Sequence, residues 1–390
     1  MDTATDISGD TTPRFAGVRT AFEANFDKHG DVGAAVAVYV DGRKVVDLWG
    51  GLADRAAGRP WEEDTLALVF STTKGVTAIA THLLAQRGDL DLDAPVADYW
   101  PEFAAEGKAA VPVRWLLSHR AGLPAFDELL AVDDALAWTP AVKALAAQRP
   151  LWQPGTGHGY HAITFGWLVG EVVRRATGRR LAEVVADDLA GPLGLDLWIG
   201  LPATKERRVA RLLATPPPDR AAVAAMSADD IRRYEAFLNP RSVTSRALNV
   251  TRPALSFNSP AVHAAELPAA NGIGTARSLA KLYAATIGDV DGHRLLDPAT
   301  VAAATAEQSS GPDRVLLVDN RFGSGFALPS PFFPLMGPRS FGHGGAGGSL
   351  AFADPDTGVA FAYVMNQMQQ HAAGDPRMAG LMEAVAAALR

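Results

Sequence analysis

The feature that most constrains the fold is Ser71-Thr72-Thr73-Lys74, set between an apolar run, Leu66-Ala67-Leu68-Val69-Phe70, and a helical pattern from Gly75 to Arg87. Residues three apart share a helix face, so a helix starting here points Lys74 back towards the Ser71 hydroxyl. A serine hydroxyl does not ionise at neutral pH and becomes a nucleophile only beside a base. A lysine amine in a dry pocket can be that base, because burial disfavours its charged form. The strand-to-helix junction also leaves backbone N–H groups free to hold an oxyanion. The same spacing recurs in Ser278-Leu279-Ala280-Lys281. That copy lies on an amphipathic helix with no strand leading in, so it reads as structural.

At 390 residues and 48% apolar composition, the chain can bury one large or two interleaved cores. A formal net charge of −7, with both signs dispersed and no basic run, argues against a nucleic-acid partner. The absence of cysteine removes disulfides, thiolate metal sites and a cysteine nucleophile together. Met1 to Arg14 is polar and acidic and no stretch approaches the ~20 apolar residues of a membrane span, so a cytoplasmic protein without membrane attachment is expected. Nothing in the sequence sets the oligomeric state.

Residues 1–14 read as a disordered tail, and Phe15 to Lys28 as a helix. Ala34–Val40 and Lys44–Leu52 read as strands joined at Asp41-Gly42, a two-residue hairpin signal. From about Leu90 to Trp198 the pattern is helical, clearest at Trp115–His119, Ile163–Thr177 and Leu181–Leu189. Residues 201–268, broken by Pro216-Pro217-Pro218, Asn239-Pro240 and Arg252-Pro253, read as short helices and long loops along a cleft. Strands return at Arg321–Leu328, Ser340–His343, Ser349–Ala353 and Val359–Asn366, and a helix closes the chain from Arg377 to Arg390. The expected fold is α+β. Residues 15–88 and 269–390 build an antiparallel sheet flanked by helices, and 89–268 form an inserted, mainly helical domain.

Two further segments carry chemistry. Trp152-Gln153-Pro154-Gly155-Thr156-Gly157-His158-Gly159 is a glycine-rich loop that ends on Tyr160. A tyrosine beside a lysine can lose its proton more readily, and could act as base to Ser71 and acid to the leaving group. Gly342-His343-Gly344-Gly345-Ala346-Gly347-Gly348 ends a strand, where glycines let a substrate lie against the backbone. The Ala346 N–H could pair with that of Ser71 as an oxyanion hole. His158 and His161 have no third ligand nearby, and Ser118-His119 do not face each other on a helix, so neither pair reads as a metal site or a catalytic dyad. No Gly-x-Ser-x-Gly elbow occurs.

Taken in order, these elements resemble the serine β-lactamase and penicillin-binding fold, and most closely its esterase branch, the family VIII carboxylesterases similar to class C β-lactamases. The resemblance spans about residues 15–385 and includes Leu116–Pro124, the Pro154-Gly155 loop and Asn271-Gly272-Ile273-Gly274. It implies Ser71 as acylated nucleophile, Lys74 and Tyr160 as the proton-handling pair, and His343-Gly344-Gly345 in place of the family's Lys-Thr-Gly strand, with no cofactor and no metal. Which of Lys74 and Tyr160 is the formal base stays open. Two departures stand out: Ala162 occupies the asparagine position of the family's Tyr-x-Asn motif, and His343 replaces a lysine. A neutral histidine supplies no cation for a substrate carboxylate. The expected activity is therefore hydrolysis of small or neutral carboxylic esters through an acyl-enzyme, with an optimum on the alkaline side. The alternatives are a β-lactamase, a D-amino peptidase, an acyltransferase, or a binding protein that keeps the fold without catalysis.

Overall fold

The computed structural model describes residues 5–215, 217–218, 220–369 and 375–390. Pro216 and residues 1–4 lie outside them.

The main sheet has the strand order β1-β3-β2-β12-β11-β10, antiparallel throughout. Its strands are β1 (Ile7–Thr11), β2 (Gly33–Val40), β3 (Arg43–Asp54), β10 (Phe341–Gly344), β11 (Leu350–Asp354) and β12 (Val359–Met365). A short strand, β4 (Arg59–Pro60), pairs with the end of β3. The hairpin joining β2 and β3 turns at Asp41 and Gly42, both at positive φ as a type I′ turn requires. The central joint, β12 on β2, unites the two ends of the chain.

Alternation along these strands builds two cores. Val36, Val38, Phe361, Tyr363 and Met365 face a layer made by α1 (Ala16–His29) and the C-terminal helix, which buries Phe22 and Leu381 against them. Ala35, Ala37, Ala351, Ala353, Ala360 and Ala362 face the other way. These small side chains let a helix carrying Tyr283 lie close on that face, and this second core continues into the central helices through Trp100, Phe165 and Leu168. Each large side chain so buried contributes about 1.5–3 kcal/mol.

The central region is helical, as its periodicity predicts. The nucleophile helix α2 spans Thr73–Arg87, α3 spans Thr164–Thr177, α4 (Ala276–Ile287) is the helix bearing Tyr283, and α5 (Pro376–Leu389) closes the chain. Short helices at 203–208, 220–224, 228–238, 243–248 and 260–264 punctuate the region read as short helices and long loops.

Two expectations are corrected. Residues 7–11 of the supposed disordered tail form β1, registered on β3 from Ile7↔Gly50 to Thr11↔Val46. The strand expected over Arg321–Leu328 covers only β9 (Asp319–Phe322), because Gly323 to Gly325, with Gly325 at φ +90°, turn the chain away. Its partner is β8 (Ser309–Pro312), and the two form a separate hairpin beside the cleft. Three two-residue strands, β5 (Ala67–Leu68), β6 (Leu197–Trp198) and β7 (Ile273–Gly274), form a small sheet that delivers the chain to Ser71.

Candidate active site

The chain reaches Ser71 through a tight turn. Val69 N–H donates to Gly272 O at 2.9 Å, and Phe70 sits at φ +45°, a left-handed backbone rare for an aromatic residue. Such strain persists where surrounding structure over-determines it. Here Thr73 Oγ1 accepts the Gly272 N–H at 2.8 Å, and Asn271 ties down its own loop by donating to Val262 O and Ala265 O.

Lys74, in the first turn of α2, is completely buried. Its Nζ lies 3.1 Å from Ser71 Oγ, 2.6 Å from Ala162 O and 2.9 Å from Ala269 O. Among the described residues no carboxylate pairs with it, and burial holds its pKa well below the ordinary lysine range. A free amine has two N–H donors and one lone pair. The two carbonyls take both donors, which leaves the lone pair for the Ser71 O–H.

Tyr160 enters from the glycine-rich loop. Its ring lies 4.7 Å from Lys74 Nζ, and its hydroxyl hydrogen-bonds to Ser71. The sequence reading has the lysine drawing the tyrosine towards phenolate. The geometry points the other way: burial raises the Tyr160 pKa, the hydrogen bond to Ser71 opposes it only in part, and the carboxylate of Asp313 raises it further. Lys74, despite its nearness, does not offset this rise. His119, at φ +62°, packs its ring 4.8 Å from the Tyr160 ring and accepts the His161 N–H on Nδ1.

The glycine strand closes the site. A Cβ on Gly345 would lie 2.1 Å from Val69 O, so only glycine lets the end of β10 approach the nucleophile turn. Ser349 Oγ bonds Val69 O and Thr72 Oγ1 across the same joint. Neither the Ser71 N–H nor the Ala346 N–H has a partner among the described residues. From behind, the buried Arg377 of α5 donates to Gly347 O at 2.6 Å while pairing with Asp31 and Asp375. His343 donates from Nδ1 to Gly344 O at 2.7 Å, and Nε2 is left as a bare acceptor without a partner among the described residues. Burial pushes its pKa down to about 3.

The structure thus brings together Ser71, Lys74, Tyr160, Ala162, His343 and the 344–348 turn, and keeps the discounted residues out. His158 pairs with Asn320, and His161 spends both ring nitrogens on Leu123 N–H and Gly159 O. Ser118 Oγ donates to Arg114 O. Ser278 and Lys281 stand on α4, away from any such pocket. Asp313, Asn320 and Phe322, which surround Tyr160 from the β8–β9 hairpin, escape sequence reasoning.

A buried amine and a phenol on one serine hydroxyl, beside two backbone N–H groups that no described residue engages, define a serine hydrolase on a β-lactamase/transpeptidase-like α+β fold. The chain belongs to the β-lactamase family, whose pattern it matches over residues 18–384. It is 40% identical over 372 residues to the esterase/beta-lactamase LipL of Mycobacterium tuberculosis, covering 94% of this chain and 84% of that protein. Among solved structures it resembles a family VIII carboxylesterase, with 40% identity, a TM-score of 0.86 and 98% and 100% of the two chains covered. A penicillin-binding protein homologue from Caulobacter crescentus is similarly close, at 42% identity and TM-score 0.85, again covering 98% and 100%.

Proposed function

We propose that the protein is a carboxylesterase acting on small, neutral esters through an acyl-enzyme on Ser71. The observation that carries this reading is the Lys74 amine, buried with no counter-ion among the described residues, its N–H groups taken by two carbonyls so that its lone pair is left for Ser71. In acylation the Ser71 proton passes to Lys74 Nζ as Oγ attacks the ester carbonyl. The carbonyl oxygen becomes an oxyanion between the Ser71 and Ala346 N–H groups. When the C–O bond to the leaving group breaks, the alkoxide takes the Tyr160 proton, and Tyr160 recovers one from the Lys74 ammonium. Water repeats the cycle in reverse to release the acid.

The pocket chemistry favours a neutral ester. Ala162 offers a methyl where the family's motif has an amide, and His343 is an uncharged acceptor where it has a cation. Phe257 and Met368 on one side, and Ile163, Val243 and Phe333 on the other, are half-buried apolar groups around the nucleophile turn and the Tyr160 cluster. The test is turnover by the purified protein of p-nitrophenyl butyrate beside the cephalosporin nitrocefin. Ester hydrolysis exceeding nitrocefin hydrolysis by about a hundredfold or more in kcat/KM, roughly 2.7 kcal/mol of transition-state preference, is expected; the opposite order favours the β-lactamase reading. Ester turnover into added methanol reports acyl transfer on the same site.

A further inference from the structure

Asp313 has no motif around it and lies 153 positions from Tyr160, yet its carboxylate is fully buried directly beneath it. Asp313 Oδ1 accepts three backbone N–H groups, from Tyr160 at 3.1 Å, Val315 at 2.7 Å and Leu316 at 2.8 Å. Oδ2 accepts the Asn320 side-chain amide at 2.9 Å, and Asn320 Oδ1 in turn meets His158 Nε2 at 2.7 Å. A carboxylate only accepts, so Asn320 must turn its NH₂ to Asp313 and its oxygen to His158. His158 Nε2 therefore carries the proton. The chain of bonds grips the glycine-rich loop at two points, residues 158 and 160. Three more contacts tie the same hairpin to that loop: Arg314 N–H donates to His158 O at 3.2 Å, its guanidinium covers Trp152, and Phe322 stacks on the Tyr160 ring at 14°.

We propose that Asp313, braced by Asn320 and His158, is a positioning residue that holds the Tyr160 hydroxyl where it can protonate the leaving group. This rests on the acid role of Tyr160 given above. The titratable groups around Tyr160 are Lys74 from α2, His119, His158 and His161 from the loops, and His343 from β10; burial pushes Lys74, His119, His161 and His343 towards their neutral forms. Asp313 is the carboxylate against this group, and its charge favours a phenol that keeps its proton.

The leaving group reads the proposal. A p-nitrophenolate departs without a proton, whereas an ethoxide needs one. The experiment compares kcat/KM for p-nitrophenyl butyrate and ethyl butyrate in the wild type, Tyr160→Phe, Asp313→Ala, Asp313→Asn and the exchange Asp313→Asn/Asn320→Asp. Fluorophosphonate labelling of Ser71 confirms that each variant is folded. Tyr160→Phe is expected to penalise the ethyl ester selectively, and Asp313→Ala to do so by about tenfold or more, the scale of a misplaced reacting group. Asp313→Asn, the milder variant, turns an NH₂ onto the Asn320 NH₂ and shifts the ratio in the same direction. The exchange rebuilds every bond with the charge moved to position 320, and returns the ratio towards wild type. A ratio unchanged in both single Asp313 variants, or an exchange no nearer wild type than Asp313→Asn, overturns the proposal. A Tyr160→Phe enzyme with the wild-type ratio overturns the acid role of Tyr160 itself, and this inference with it.

Discussion

Ser71-Thr72-Thr73-Lys74 and Ser278-Leu279-Ala280-Lys281 have the same spacing and both fall at the start of a helix, yet only one is built for chemistry. Lys74 is sealed, with carbonyls around its amine. The Lys281 side chain is 20% exposed, and its Nζ binds Leu193 O and the Asp291 carboxylate. Ser71 Oγ faces amine and phenol, whereas Ser278 Oγ accepts the Asp196 N–H and the Thr275 hydroxyl, stitching a loop to the helix cap. The difference lies in what surrounds the lysine. A counter-ion and water keep an ammonium charged, and removing both turns it into a base.

The contrast can be broken most sharply at the serines. Ser71→Ala is expected to lose at least about a thousandfold in p-nitrophenyl butyrate turnover, in line with losses on removing a nucleophile, together with fluorophosphonate labelling. Ser278→Ala is expected to stay within about twofold. Next come the lysines. Lys74→Arg keeps a permanent cation and cannot take a proton, so kcat should fall by about a hundredfold or more, while Lys281→Met should leave kcat unchanged. The pH profile sharpens the same point. Activity needs the free Lys74 amine and the Tyr160 phenol, so kcat/KM rises as pH climbs through the lowered Lys74 pKa. It then holds on the alkaline side until the raised Tyr160 pKa. An acid limb at the ordinary lysine value of about 10.4 contradicts a neutral buried amine.

Smaller effects test how the two helices meet. A Cβ on Gly75, the residue after Lys74, would lie 1.9 Å from the Tyr283 hydroxyl on α4. Gly75→Ala should therefore cost about 1–3 kcal/mol of stability by overpacking, read from denaturant midpoints. At the quiet motif, Thr275 caps α4 by accepting the Ser278 N–H at 3.1 Å. Thr275→Ala should cost about 1 kcal/mol and leave esterase turnover as it was.

Much of this could be read from the sequence where the signal is local. Asp41-Gly42 specifies its own turn, the 3.6-residue period marks α1, α2, α3 and α5, and an apolar run ahead of a helix sets Ser71 apart from Ser278. What escaped is non-local. β1 is polar because only alternate residues of an edge strand are covered, and two-residue strands such as β5 and β7 are too short to carry a period. The Tyr160 phenol was misjudged because proximity to a lysine is legible while the depth that uncharges that lysine is not. Asp313 owes its place to a hairpin that folds back over the loop from half a chain away.

One arrangement has a bearing on how the protein comes into being. Arg377, far along the chain from Ser71, grips the carbonyl next to the Ala346 N–H, and β12 must slot beside β2 before the sheet is whole. A ribosome that has already delivered Ser71, Lys74 and Tyr160 has therefore still to deliver the residues that set the glycine turn against them. A chain cut short before Arg377 is expected to lack the hand that steadies the turn bearing the Ala346 N–H.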